Sequence, residues 1–137
     1  MFPETVHYAR TDIPAGWDIP DWDTANTLLG FLDPDRRHFA IFTLADNCYV
    51  QCLGRKTALT VEARVYSDSP TFRHFVFGKG DPTGETTTVG NTENGVTIDA
   101  SQLLKMRDAR LIIRQFLETR TFHDRYTATD VTSRFDA

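Results

Sequence analysis

Between Ala58 and Tyr66 the chain alternates without a break, Leu59, Val61, Ala63 and Val65 against Thr60, Glu62, Arg64 and Tyr66. A period of two is what a strand with one buried face requires, and such strands are typical of antiparallel sheets. Comparable runs surround it. Arg37–Leu44 reads as a strand, with Phe39 and Ile41 on one face and Ala40, Phe42 and Leu44 on the other. Asp46-Asn47 turns it into Cys48–Leu53, and Gly54-Arg55-Lys56 turns again into the alternating strand. Past a loop at Ser67-Asp68-Ser69-Pro70, Thr71–Phe77 predicts a fourth, mostly aromatic strand. Glu85–Val89 and Val96–Ile98 then flank Asn94-Gly95, a strong two-residue hairpin signal.

Two helical patterns bracket the strands. Trp22, Ala25, Leu28, Leu29 and Leu32 fall on one helical face, Asp21 or Asp23 can cap that helix, and Asp33-Pro34 stops it. The second pattern spans Ser101–Thr121. Leu103, Met106, Ala109, Ile113, Phe116 and Leu117 form its stripe, Leu104 and Leu111 flank it, and Asp99 or Ser101 starts it. Residues 1–20 contain Pro3, Pro14, Gly16 and Pro20 and read as an extended lead-in or an edge strand. Residues 124–137 read as a last edge strand or a loose tail. The expected fold class is α+β in a single domain, residues 1–137. An antiparallel sheet of five to seven strands carries the short N-terminal and the long C-terminal helix on one face.

Composition bounds the function. An apolar fraction of 40% over 137 residues suffices for one packed core. A net charge of −4 argues against a nonspecific nucleic-acid binder. No apolar run reaches the roughly 18 residues of a membrane span, and the N-terminus lacks the basic start and apolar core of a signal peptide. A cytoplasmic location without membrane contact is the expectation. Cys48 and Cys52 lie four residues apart, about 13 Å along a strand, beyond the roughly 7 Å that a disulfide spans. They are expected to be reduced and partly buried, and no second Cys or His pair completes a zinc site.

No catalytic, metal or cofactor constellation stands out. His7, His38, His74 and His123 have no His or carboxylate at ligand spacing, and no nucleophile motif is present. His74 shares a predicted strand face with Phe72 and Val76 and reads as a half-buried sheet residue. Residues 78–84 are glycine-rich, but they lack the Lys-Ser/Thr ending of a phosphate loop and lead into a strand. Arg107, Arg110 and Arg114 recur at helical spacing, which suits phosphate contacts or, more ordinarily, a solvated helix face.

Charge is segregated instead. Before Arg36, acids at 4, 12, 18, 21, 23, 33 and 35 meet one base, Arg10. Asp81, Glu85, Glu93 and Asp99 add a stretch without Lys or Arg over residues 81–99. An acidic face steers basic partners, although Asp21, Asp23 and Asp99 also suit capping roles.

The succession of Trp22, Leu28, Leu29 and Leu32, middle strands, Phe75-Val76-Phe77-Gly78 and a helix with Ala109 and Phe116-Leu117-Glu118-Thr119 resembles a known class. It is similar to the small cytoplasmic immunity proteins that neutralise bacterial polymorphic or contact-delivered toxins, most of all to their first-described large family. The chain departs from that pattern at Arg120-Thr121-Phe122-His123, where a Gly-x-x-Pro turn and a terminal Trp often follow. The resemblance implies a non-catalytic inhibitor without cofactor that covers a cognate toxin domain, often a nuclease, with no direct nucleic-acid contact. Asp33, Asp35, Asp81, Glu85 and Glu93 are then expected on the partner-facing surface, with Trp17 and Tyr66 as aromatic anchors beside Tyr8 and Trp22. Two other readings fit the residues. One is a small-molecule-binding or enzymatic domain with a pocket of Phe72, His74, Phe75 and Phe77. The other is a non-catalytic adaptor that uses the last helix.

Overall fold

The computed structural model describes residues 1–68, 70–91, 93 and 95–135. Strands Val6–Arg10 (β1) and Ile13–Ile19 (β2) precede helix Trp22–Leu29 (α1). Four strands follow: Phe39–Leu44 (β3), Tyr49–Arg55 (β4), Ala58–Asp68 (β5) and Thr71–Gly78 (β6). Thr86–Val89 (β7) and Val96–Asp99 (β8) pair as a separate ribbon, helix Met106–Thr119 (α2) comes next, and Thr127–Asp130 (β9) is the last strand. Seven strands form one antiparallel sheet in the order β2-β1-β3-β4-β5-β6-β9. The fold is α+β with an antiparallel sheet and two helices, as the sequence predicts. Asn94 of the predicted hairpin turn, Ser69 of the predicted loop and the last two residues of the predicted tail lie outside the described residues.

Alternation decides the two faces of the sheet. Tyr8, Phe42, Val50 and Ala63 stand in register across four strands and are buried, as are Val61 and Phe77. Ala25 and Leu29 of α1 and Met106, Ala109, Ile112, Ile113, Phe116 and Leu117 of α2 complete that core. Each large side chain so buried contributes about 1.5–3 kcal/mol. Val76, Val89 and Ile98 are buried outside this main cluster, and β7 lies against β4 and β5.

Four sequence expectations need correction. Residues 1–20 are no lead-in: the edge-strand reading holds for β2, and β1 is an interior strand paired with both β2 and β3. The prolines mislead because they fall outside β1, with Pro14 on the edge strand β2. Gly54 and Arg55 belong to β4 rather than to a turn. Gly54 has φ +128, and a Cβ there would stand 2.5 Å from the Ala58 carbonyl oxygen. The long helix starts at Met106, not Ser101. Residues 100–102 form a 3-10 turn capped by Asp99, and Leu104 then exchanges two 2.9 Å backbone hydrogen bonds with Leu59. That extended step shifts the helical phase, so Leu104 is buried, Leu103 is exposed, and Ile112 joins the stripe. Finally, Cys48 and Cys52 are fully buried free thiols rather than partly buried, and burial pushes Cys52 up to about 12. Of the tail, β9 forms the far edge of the sheet on β6.

Surface carboxylates, exposed or half-buried, tie down the turns. The Thr24 N–H holds the Asp21 carboxylate below its ordinary range, the Arg36 N–H does so for Asp33, and the Arg120 guanidinium for Asp46. The Ser101 hydroxyl holds Asp99 well down, and the Thr132 hydroxyl lowers Asp130 to about 2. In the unfolded chain each titrates near about 3.9. Depressed native values mean that the stabilisation is complete above the unfolded value and is lost as pH falls through the native ones. Chemical denaturation followed against pH is therefore expected to show a plateau down to about pH 5 and a progressive loss from about pH 4 to 2. A midpoint that stays constant to about pH 2 contradicts this linkage.

Candidate functional site

A candidate surface runs from the edge strand β2 across β1 to Phe31, just past the end of α1. Trp17 pairs with Tyr8 across the hairpin, and their rings meet edge to face at 5.4 Å. Arg10 follows Tyr8 by two residues on the same face of β1, and its guanidinium lies 5.3 Å from the centre of the Phe31 ring. Arg37 approaches the same ring at 5.8 Å. Asp12 ties the two arginines together, accepting from Arg10 at 2.7 Å and from Arg37 at 3.2 Å. Arg37 is also paired with Asp33 at 3.6 Å. Trp17 and Phe31 remain 40% and 47% exposed, one on the β2 edge and the other against the paired arginines. Exposed aromatic side chains held by rigid neighbours are what interface anchors are made of.

The acidic loop sits beside this cluster because Asp33 organises it. Its Oδ1 accepts the backbone N–H groups of Asp35 and Arg36 at 3.0 and 2.8 Å, which closes a tight turn. The Asn91 side-chain amide then donates to the Pro34 carbonyl at 2.8 Å and docks the β7–β8 connection on the turn. Asp33, Asp35 and Glu93 are thereby brought to one end of the ribbon. Asp35 and Glu93 are exposed and have no side-chain partner among the described residues.

Asp81 and Glu85 are placed elsewhere. Thr83 and Gly84 donate their N–H groups to Asp99, and Ala100 donates to the Glu85 carbonyl, so residues 81–85 lie at the other end of the ribbon. Four strand residues separate the two acidic groups, about 13 Å. Tyr66 is half-buried against Phe72 with ring centres 5.7 Å apart, and its N–H donates to Cys48 Sγ. Trp22 is half-buried beneath the Arg114 guanidinium. Sequence reasoning missed Phe31, Arg10, Arg37 and Asp12. Phe31 carried a signal, because it follows Gly30 and falls off the Trp22-Ala25-Leu29 stripe. The arginines carried none, since their neighbours come from strand register.

His74 differs from its sequence reading. It is 1% exposed, and cross-strand neighbours occupy both ring nitrogens. Nε2 lies 2.7 Å from Glu62 Oε1, and Arg64 Nε donates to Nδ1 at 3.2 Å. This fixes the tautomer with Nε2–H toward the carboxylate, and it leaves no lone pair for a substrate. Phe135, on the 3-10 turn Thr132–Phe135, lies over the imidazole at 4.7 Å between centroids. Phe75 and Phe77 point to the opposite face of the sheet, packing at 5.0 Å against Phe122. The four residues of the alternative pocket therefore do not line one cavity, because odd and even positions of a strand face apart.

Among the described residues no group of three or more His, Cys, Asp or Glu is arranged to hold a metal ion. No helix among them is long and apolar enough to cross a membrane. No protein-family model matches the chain, and no curated protein matches its sequence.

Proposed function

We propose that this chain is an immunity-type inhibitor. It binds a basic toxin domain through the surface formed by Trp17, Phe31, Asp35 and Glu93. The observation that carries this reading is the placement of Trp17 over Tyr8 on the same strand face as Arg10, whose cluster with Phe31, Asp12, Arg37 and Asp33 carries the acidic turn. Affinity comes from the aromatic anchors, whose rings lose little freedom on binding, and the unpaired carboxylates steer the encounter. The N-terminal third supplies the field, with seven acids against one base before Arg36. A nuclease, with its cleft built for phosphates, is the partner class such a field suits best.

The partner is sought as the toxic C-terminal domain encoded immediately upstream, expressed with and without this chain. Rescue of growth and a stable complex are the expected results. The double variant Asp35→Arg, Glu93→Arg is then expected to weaken the complex about tenfold at low salt, mainly by slowing association, and to flatten its salt dependence. These two side chains hold no partner of their own, so the variant should fold normally. An unchanged association rate rules out this surface, and a harmless, non-binding neighbour removes the inhibitor reading.

A further inference from the structure

A second concavity, sharing no residue with the aromatic surface, opens between α2, the end of β6 and the segment that leads into β9. Lys79, Arg107, Asp108, Leu111, Arg125 and Tyr126 line about 350 Å³. That volume lies at the lower end of small-molecule sites. Three cations and one carboxylate face it, on a chain whose net charge is −4.

The carboxylate is already committed. Asp108 accepts from the Tyr126 hydroxyl at 2.7 Å and from the Lys105 N–H at 2.9 Å, and Lys79 Nζ stands 3.4 Å away. Arg107 and Arg125 come from different segments and are exposed, and their guanidinium groups have no partner among the described residues. Burial and the Asp108 carboxylate push the Tyr126 hydroxyl up to about 12, and the Arg125 and Arg107 charges oppose that rise. The helical series of arginines is also resolved. Arg114 is paired with Glu118 at 2.9 Å and stacked on Trp22, and Arg110 is half-buried, so of the three only Arg107 lines this concavity.

Two unneutralised guanidinium groups around one cavity repel each other, and an anion between them removes that repulsion. Guanidinium forks match the tetrahedral oxygens of phosphate, and ammonium groups bind it as point charges. We propose that this concavity binds a small phosphate-bearing anion, with Arg107 and Arg125 gripping its oxygens and Lys79 adding a third cation. The size of the cavity and the acidic balance of the chain favour a single phosphate group over a long polyanion, whose neighbouring phosphates would meet carboxylates. This site stands independently of the inhibitor reading.

Calorimetric titration of the full chain with inorganic phosphate, and separately with a nucleoside 5′-monophosphate, tests the proposal. One equivalent is expected to bind with a Kd below about 1 mM at low ionic strength. Arg107→Gln and Arg125→Gln are each expected to weaken binding about tenfold, with unchanged melting temperatures, while Arg114→Gln leaves it intact. Tighter binding of the nucleotide assigns the Leu111 wall to its sugar or base, whereas equal binding assigns the site to phosphate alone. Failure of both ligands to bind overturns the proposal, and so does an equal loss in Arg114→Gln, which marks diffuse charge attraction.

Discussion

Replacing Gly16 with Ala is expected to destabilise the protein by roughly 2–4 kcal/mol and to move Trp17 off Tyr8. Gly16 sits in β2 at φ +59, a conformation that costs an L residue about 1 kcal/mol. The larger part is contact. An added Cβ would stand 1.9 Å from the Tyr8 carbonyl oxygen and 2.8 Å from its carbon, both backbone atoms that no rotamer change can clear. The hairpin must therefore open at the point where Trp17 is held. Because β2 is an edge strand, the damage is bounded, and Ile19 remains buried beyond it. Gly84→Ala is the control, since Gly84 also has positive φ, at +84, with nothing within 4 Å of its Cβ position. Urea unfolding with tryptophan fluorescence separates the two. An Ala at 16 that costs no more than an Ala at 84 would show that the close approach relaxes freely. If the excess loss is found and the proposed toxin complex forms, the same variant is expected to weaken it more than the Asp35→Arg, Glu93→Arg double variant does, because it displaces an anchor rather than a steering charge.

What the sequence made legible follows the range of the interaction. The strand at Ala58, the first helix with its Asp21 cap and the turn at Asp46-Asn47 rest on neighbours within a few residues, and each is found nearly where the pattern put it. The phase of the second helix was not legible. Leu103 and Leu104 are equally apolar, and which one is buried depends on a backbone pairing with Leu59, forty-five residues earlier. The N-terminal hairpin was hidden for a related reason, because Pro14 and Gly16 look like breakers until β2 is known to be an edge. Cross-strand sites were the least legible of all. Glu62, Arg64 and His74 converge only because Arg64 stands opposite His74 in the β5–β6 register, and a one-residue slip would send all three to other neighbours. The Arg10–Phe31–Arg37 cluster is of the same kind, whereas the acidity of the loop at Asp33 was plain from charge alone.

Asp108→Ala is the other large expected loss, about 2–4 kcal/mol, and its size comes from what it leaves behind. The carboxylate is buried, and that burial by itself pushes its titration upward. The Tyr126 hydroxyl, the Lys105 N–H and Lys79 outweigh it and hold the group ionised below its ordinary range. Removing it strands a buried tyrosine hydroxyl and uncaps the first turn of α2. An unsatisfied buried donor costs about 1–3 kcal/mol and a lost cap about 1. Asp108→Asn keeps an acceptor of nearly the same shape and is expected to lose about half as much. Tyr126→Phe removes the donor instead, so adding it to Asp108→Ala should restore part of the loss. A double-mutant cycle read from urea midpoints at constant slope measures that coupling, expected at about 1–2 kcal/mol. Independent, additive losses would mean that Asp108 acts on α2 alone. A coupled result would make the carboxylate the pin between α2 and β9, and so the element that holds Arg107 and Arg125 across one cavity.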